Sequence, residues 1–456
     1  MTGWHGEFYR RGDDGYEQSR LAAVWNERKP DRYPEAVVIA RDEDDVVRAV
    51  RTARAEGWSI GIRSGGHSWV GNGIRNGGLL LDLSRLDDIE VDADARVATV
   101  GPAAKGPALN EALLKHGLFF PTGHAPTVGI GGFILGGGYG WNSRFWGPAC
   151  LSIRAADVVL ADGELIHADD DTHPDLMWAA RGSGPGFFGV VTRFHLNVHP
   201  GPTAIRRTTH TYPLELTRDL LAWSYDNLET LSPAVEISAK VGYTPGLDAR
   251  LVSLTATAFC TEDTGEDLLA PLEQIPFRDR AVRATVNRAT TIAELYELAD
   301  RLNPPGLRWA LDGIWADGDP ATILDAAQPM LDDIPDGVAF VLWMLWGGYP
   351  ERDDACWSAQ AKVYLSPNAG WRDRADDLAH EQWVHGTLAS IQHLSRGLQF
   401  SDNNVADRPD GGLSPANAAK LERVRAIYDP DRVFNSYMAP NESTTAYGRL
   451  SQARLT

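Results

Sequence analysis

Gly123-His124-Ala125-Pro126-Thr127-Val128-Gly129-Ile130-Gly131-Gly132-Phe133-Ile134-Leu135-Gly136-Gly137-Gly138-Tyr139-Gly140 is the stretch that decides how this chain reads. Eight of its eighteen residues are glycine. Glycine gives a core no side chain and costs backbone entropy. At such density it lets backbone amides come close to a flat or anionic ligand, where successive N–H groups form a concavity for phosphate. A second stretch, Arg63-Ser64-Gly65-Gly66-His67-Ser68, follows a strand-like run at Trp58–Ile62 and carries an imidazole beside two glycines. Together the two predict a large cofactor held by loops, with Arg63 as the local cation for a diphosphate.

Outward from these loops, strand and helix signals alternate. Val37–Ala40 reads as a strand, and Asp42–Glu56 as a helix with acids in its first turn and Val46, Val47, Val50 and Ala53 at helical spacing, ended by Gly57. Leu79–Leu83 and Val97–Val100 read as strands, Ala108–His116 as a helix, Ala156–Ile166 as a hairpin and Val190–Leu196 as a closing strand. Past Pro202 the texture changes. Val235, Ile237, Ala239, Val241 and Tyr243 alternate with Glu236, Ser238, Lys240 and Gly242, the period of a half-buried strand, and Leu254–Ala258 repeats the pattern. Val338–Trp346 is almost wholly apolar, and helices are expected at Ala293–Leu302, Arg372–Leu394 and from Ser414 through Ile427.

Bulk properties narrow the function. A chain of 456 residues is long for one core, and 43% hydrophobic with 23% charged residues is the composition of a soluble globular protein. A net charge of −19 argues against a nucleic-acid partner. No apolar run predicts a membrane span, and no basic, apolar leader opens the sequence, so a cytoplasmic protein is expected. Three scattered cysteines, Cys150, Cys260 and Cys356, make neither a disulfide framework nor a zinc site. Gly184-Pro185-Gly186-Phe187-Phe188-Gly189 matches G-x-G-x-x-G with its context reversed, helix before and strand after, so it is no dinucleotide fingerprint. His380 and His385 are five residues apart and face different sides of a helix, so no metal is expected there.

Gly65-Gly66-His67-Ser68, Pro126–Gly129 with Gly136–Gly140, and Asp175–Gly182 with Phe188–Thr192 occur in an order and spacing that resembles the berberine-bridge-enzyme-like branch of the FAD-linked oxidases, which carry a PCMH-type flavin domain. The similarity is strongest over about residues 32–200 and weaker at Tyr428–Phe434. It implies an α+β fold. A two-subdomain FAD-binding domain would span residues 30–200. A substrate domain over 201–400 would hold an antiparallel sheet covered by helices on one face. The segment 401–456 would return to the first domain, and residues 1–29 would form an N-terminal extension. The resemblance carries over as flavin contacts Arg63, Ser64, Gly65, Gly66, His67 and Ser68 from the first loop. From the second come Thr127, Val128, Gly129, Gly132, Gly136, Gly137, Gly138 and Tyr139, and from the third Val190. It implies that His67 is bonded to the flavin 8α-methyl, which needs a neutral imidazole. Many relatives attach the cofactor a second time through a cysteine before Pro-Thr-Val-Gly. Ala125 stands there, so a single link is expected, as in the 6-hydroxy-D-nicotine-oxidase-like members. Val128 falls where the family regulates oxygen access and resembles the oxygen-reactive members. Phe187 replaces an asparagine common before Phe-Gly-Val-Val-Thr.

Trp309, Trp315, Trp343, Trp346, Tyr349, Trp357 and Tyr364 crowd the middle of the chain, where a sheet covering the flavin would let aromatics stack on a substrate. A substrate proton needs an acceptor. The candidates are Tyr349, Tyr364 and Asp402, the last within Gln399–Asn404. The expected activity is flavin-dependent oxidation of an alcohol, sugar, amine or phenolic natural product, by hydride transfer to covalently bound FAD, with O2 as acceptor giving H2O2. A dehydrogenase using another acceptor, an oxidative tailoring or cyclisation enzyme and a non-catalytic flavin-binding protein are the competing readings.

Overall fold

Residues 3–244, 246–261, 263–403, 406, 412–443 and 445 are described by the structure, a computed structural model. Three sheets position the site. In the first, β1 (Glu7–Arg10), β2 (Ala36–Ile39), β3 (Ile60–Arg63) and β4 (Leu79–Asp82) lie in the order β1-β2-β4-β3, with β2 and β3 parallel to β4. Helix α1 (Tyr16–Ala22) follows β1, and α2 (Glu43–Glu56) makes the crossover from β2 to β3. The sequence explains α2 end to end. The Asp42 carboxylate accepts from the Asp45 amide at 3.0 Å, Val46, Ala49, Val50 and Ala53 are buried, and Gly57 closes the helix at φ 69°. Within residues 1–29, Glu7–Arg10 pairs antiparallel with β2 as the edge strand of this sheet.

The second sheet is antiparallel: β5 (Ile89–Asp92), β6 (Val97–Val100), β7 (Ile153–Val159), β8 (Leu165–Asp169) and β9 (Val190–Asn197), in the order β5-β6-β9-β7-β8. Between β6 and β7 run α3 (Gly106–Leu114) and the glycine-rich stretch. That stretch is not all loop. Ile130, Phe133 and Ile134 are buried on one side of α4 (Ile130–Leu135), enough apolar anchoring to hold a short helix despite its glycines. Helix α5 (Pro174–Ala180) precedes Gly184–Gly189 and β9 follows, the reverse of a dinucleotide site.

The third sheet holds β10 (Ala204–Pro213), β11 (Val235–Thr244), β12 (Ala249–Cys260), β13 (Arg283–Thr290), β14 (Arg308–Leu311), β15 (Ile314–Ala316), β16 (Val338–Leu345) and β17 (Val363–Trp371). Their order is β13-β10-β12-β11-β16-β17-β14, with β15 on β17. Its two faces differ. Ile237, Ala239 and Val241 of β11, with Leu254 and Ala256 of β12, bury against α6 (Thr217–Asp226), α8 (Pro320–Asp332) and α9 (Asp377–Ile391). The alternate residues Glu236, Ser238 and Lys240, with Ser253, Thr255, Thr257 and Arg207, Thr209, Thr211, form a polar face turned to a cleft. A helix expected on the covered face lies elsewhere: α7 (Ile292–Leu302) places Leu295 and Tyr296 against Phe119 and Trp141, at the edge of the cleft. Its amphipathic pattern could not say which layer its apolar side would meet.

The tail returns to the first sheet. After the helix Pro415–Tyr428, Val433 and Phe434 bury in its core, and the Ile60 amide donates to the Val433 carbonyl at 2.7 Å while the Asn435 amide donates to the Ile60 carbonyl at 2.8 Å. Among the described residues no helix is long and apolar enough to cross a membrane.

Candidate functional site

One cleft of about 1040 Å³ opens between the glycine-rich loops and the polar face of the third sheet. That exceeds the roughly 300–1,000 Å³ of an ordinary small-ligand pocket. At Gly65 and Gly129 the loops meet backbone to backbone: a Cβ on Gly65 would stand 2.4 Å from the Gly129 amide nitrogen, and one on Gly129 only 2.9 Å from the Gly65 Cα. Ser64 Oγ accepts from the Gly132 amide at 3.3 Å, tying the first loop to the start of α4. Gly132 itself has only Ser64 Oγ near a built Cβ, at 3.8 Å, so bare backbone faces the cleft there. Two bare-backbone loops below a wide cleft fit the large cofactor read from the sequence.

His67 stands at the junction. Its Nε2 lies 2.8 Å from Thr127 Oγ1, and its ring stacks on Trp25 with centroids 5.0 Å apart. Burial first, then the Lys105 and Arg63 charges, push its pKa down to about 3. The imidazole is therefore neutral across the physiological range, the form a nucleophile requires. Arg63 departs from expectation, since its Nη1 is paired to Asp82 at 2.7 Å and its charge is largely answered within the protein. Lys105, whose Nζ would stand 3.6 Å from a Cβ on Gly65, is a second cation beside the same loop that went unread in the sequence, with its pKa lowered by burial and by Arg63.

Of the positions singled out in the sequence, the cleft collects Arg63 through Ser68, Ala125, Thr127, Val128, Gly129, Gly132 and Tyr139. Gly136, Gly137, Gly138 and Val190 stand behind its wall. Gly137 and Gly138 have φ of 109° and 79° and pack on Trp357, Phe133 and Ala149, while Val190 turns toward the α2 core. Strand alternation accounts for Val190: Gly189 and Val191 line the cleft instead. Phe187 also lines it, stacked on Phe188.

The proton-acceptor candidates separate. Tyr349 and Tyr364 do not line the cleft; both belong to an aromatic cluster with Trp315 and Trp346. Tyr364 points from the cleft side of β17 but is covered, 1% exposed, and its hydroxyl donates to Asn403 Oδ1 at 3.2 Å. Asn403 also accepts from the Gln399 amide at 2.8 Å and donates to the Gly313 carbonyl at 2.6 Å, pinning the turn that carries Asp402; Asn404 lies outside the described residues. Asp402 does reach the cleft. Burial pushes its carboxyl up to about 6, against the His124 charge and a hydrogen bond from Trp69.

The expected stacking aromatics Trp309, Trp315, Trp343, Trp346 and Trp357 are buried core residues, absent from the cleft lining. Trp25, Trp69 and Trp141 line it in their place. Two further groups went unread in the sequence. His124 Nε2 lies 2.8 Å from Glu236 Oε1, and its ring meets Trp141 edge-on at 4.3 Å. Burial opposes its charge, but Glu236 and Asp402 hold its pKa above the ordinary value. The signal for Glu236 was present: β11 and β12 repeat polar residues at period two, the mark of a face turned to solvent or ligand rather than to core. The helical histidines sit apart, His380 stacked on Trp371 at 4.7 Å and His385 facing Asp312 at 3.4 Å.

Residues 34–169 match the FAD binding domain family. An FAD-linked oxidoreductase of Penicillium janthinellum is 30% identical over 435 residues, 93% of this chain and 96% of its own length. The crystal structure of 6-hydroxy-D-nicotine oxidase from Arthrobacter nicotinovorans superposes with a TM-score of 0.83 at 24% identity, covering 96% of this chain and 98% of that one. Wild-type Phl p 4, a glucose dehydrogenase, gives 0.82 at 19% identity over 95% and 96%, and an isoleucine-to-valine variant of it is a glucose oxidase.

Proposed function

The chain belongs to the FAD-linked oxidoreductases, and from that premise we propose that it oxidises a small organic substrate on an FAD bonded once, through His67, with dioxygen as the electron acceptor. Bound FAD supplies the two-electron acceptor, so that overall a CH–OH or CH–NH group plus O2 yields the carbonyl or imine plus hydrogen peroxide.

The observation that carries this reading is the neutral, cleft-facing imidazole of His67 between two bare-backbone loops. Ala125 also lines the cleft, and its methyl can form no thioether. Protein precipitated in acid is expected to keep its yellow colour in the wild type and to lose it in His67→Ala. Colourless wild-type precipitate overturns the covalent bond. Ala125→Cys is expected to add a second link, read by mass after proteolysis.

Asp402 takes the substrate proton. At neutral pH its carboxyl, pushed up to about 6, is mostly ionised yet more basic than an ordinary aspartate, which suits a general base. Tyr364 acts through Asn403 as a positioning residue. Val128 lines the cleft, and its size favours oxygen as acceptor, by analogy with the isoleucine-to-valine variant of Phl p 4. A dehydrogenase is the second reading, favoured by wild-type Phl p 4. Substrate-reduced enzyme reoxidised faster by air than by a quinone analogue supports the oxidase, and the opposite order supports the dehydrogenase. Val128→Ile is expected to slow reoxidation by air and leave substrate reduction unchanged.

A further inference from the structure

Lys240 is a cation without a counter-charge in a chain rich in acids. It projects from β11 into the cleft, with its Nζ 4.3 Å from the centroid of the Phe340 ring. Among the described residues no carboxylate lies within ion-pairing distance of it. Burial alone pulls its pKa down to about 8, with no acid nearby to raise it. The acid next along the same strand face, Glu236, is four residues away, about 13 Å at strand rise. Glu236 is also engaged, by His124 at 2.8 Å and by the Asn142 amide at 3.3 Å. In a protein with 62 acidic and 43 basic residues, a desolvated ammonium left unanswered costs stability unless a ligand supplies the charge.

The surroundings suit an oxyanion on an apolar body. Across β12, Lys240 faces Ser253, whose hydroxyl lies 2.9 Å from Thr211 Oγ1. On the other side its neighbour in register is Leu342, which lines the cleft with Phe340 and Met344. Hydroxyl donors flank the ammonium on one side, and apolar surface continues from it on the other.

We propose that Lys240 binds an oxyanion of the substrate, so that the cleft selects molecules with an apolar body and a carboxylate or similar terminal anion. The inference rests on the oxidoreductase reading for its substrate, and on the geometry of β11 for its site. The charge is held at Lys240, and the group to be oxidised lies toward Asp402 and His124. An extended acid is selected over a compact neutral sugar.

The test uses the flavin-loaded protein and two probe pairs, benzoate with benzamide and 2-naphthoate with 2-naphthamide, titrated while the visible flavin spectrum is followed. Each acid is expected to bind at least tenfold more tightly than its amide. Lys240→Met is expected to bring acid affinity down to the amide level while leaving amide affinity and flavin content unchanged, and Lys240→Arg to keep the preference. Equal binding of acid and amide, no binding of either acid, or an acid preference that survives Lys240→Met overturns the proposal. Loss of flavin from Lys240→Met also overturns it, by assigning the residue to the cofactor. Because the titration needs no turnover, a protein that makes no peroxide yet prefers the acids leaves this inference standing and removes only the oxidase reading.

Discussion

Asp402 and Tyr364 show what a single residue can and cannot reveal. Both are proton acceptors by type, and both approach the same turn. Only Asp402 reaches the cleft; Trp315 packs on the Tyr364 ring with centroids 5.1 Å apart. Sequence gives the chemistry of a side chain and its strand parity, but not which neighbour will lie over it. The raised carboxyl gives a signed expectation. The base form is present above pH about 6, so the rate of substrate reduction should fall as pH drops through that value. In Asp402→Asn the rate should fall by about 10²–10⁴, and the acid limb should vanish from a stopped-flow pH profile. Tyr364→Phe should keep the limb, because the hydroxyl only steadies Asn403, and Tyr349→Phe should change neither rate nor profile. His67 was legible from its loop, whereas the stacking Trp25 and the cation Lys105 were not. Their approach depends on chain segments far from it in sequence.

Elements with strong local signals were read closely: α2 by its cap, buried stripe and terminal glycine, β11 by its alternation. Strand β10 escaped because Arg206-Arg207-Thr208-Thr209-His210-Thr211 offers no apolar alternation, and β13 because Arg283-Ala284-Thr285-Val286-Asn287-Arg288-Ala289-Thr290 carries a single large apolar residue. The inward face of β10 is built from Ala204, Thr208, His210 and Tyr212, and its other face serves the cleft. The short α4 escaped because its glycines read as loop. The glycines themselves were read for ligand approach, yet at 65 and 129 their first duty is mutual. A methyl at Gly65 meets the Gly129 backbone at 2.4 Å, where no side chain can turn aside. Gly65→Ala is therefore expected to cost about 1–3 kcal/mol, the scale of overpacking, and to lower flavin incorporation. Thermal unfolding and the flavin-to-protein absorbance ratio read the two effects. Gly117→Ala, at φ 68° with open space around it, should be strained in its backbone but leave the flavin ratio unchanged.

Across the whole molecule, the cleft depends on how the first sheets are fastened to the third. Asn26, 1% exposed, does much of this. Its Nδ2 donates to the Trp69 carbonyl at 2.8 Å and the Trp309 carbonyl at 2.9 Å, and its Oδ1 accepts from the Trp309 amide at 2.9 Å. Arg28 Nη1 adds a bond to the same Trp309 carbonyl at 2.8 Å. Asn26→Ala leaves buried backbone groups unmatched, at about 1–3 kcal/mol each. Its expected signature is a lower unfolding midpoint with the flavin tether intact, since His67 is untouched. A tether lost along with stability would place Asn26 in cofactor attachment. No motif announced this fastening, because an asparagine acquires it only when residues 26 and 309 meet. The middle of β10, β11 and β12 keeps its core packing on the helix side, while Ile205, Phe259 and Phe340 pack at the margins of the other face, so the hydroxyl- and charge-bearing row between them can be rewritten without disturbing the helix-side core or the glycine loops opposite. Laboratory diversification for new reactants should begin at positions 209, 238, 240, 253 and 255, where inheritance of the chromophore and freedom to retune selectivity are physically decoupled.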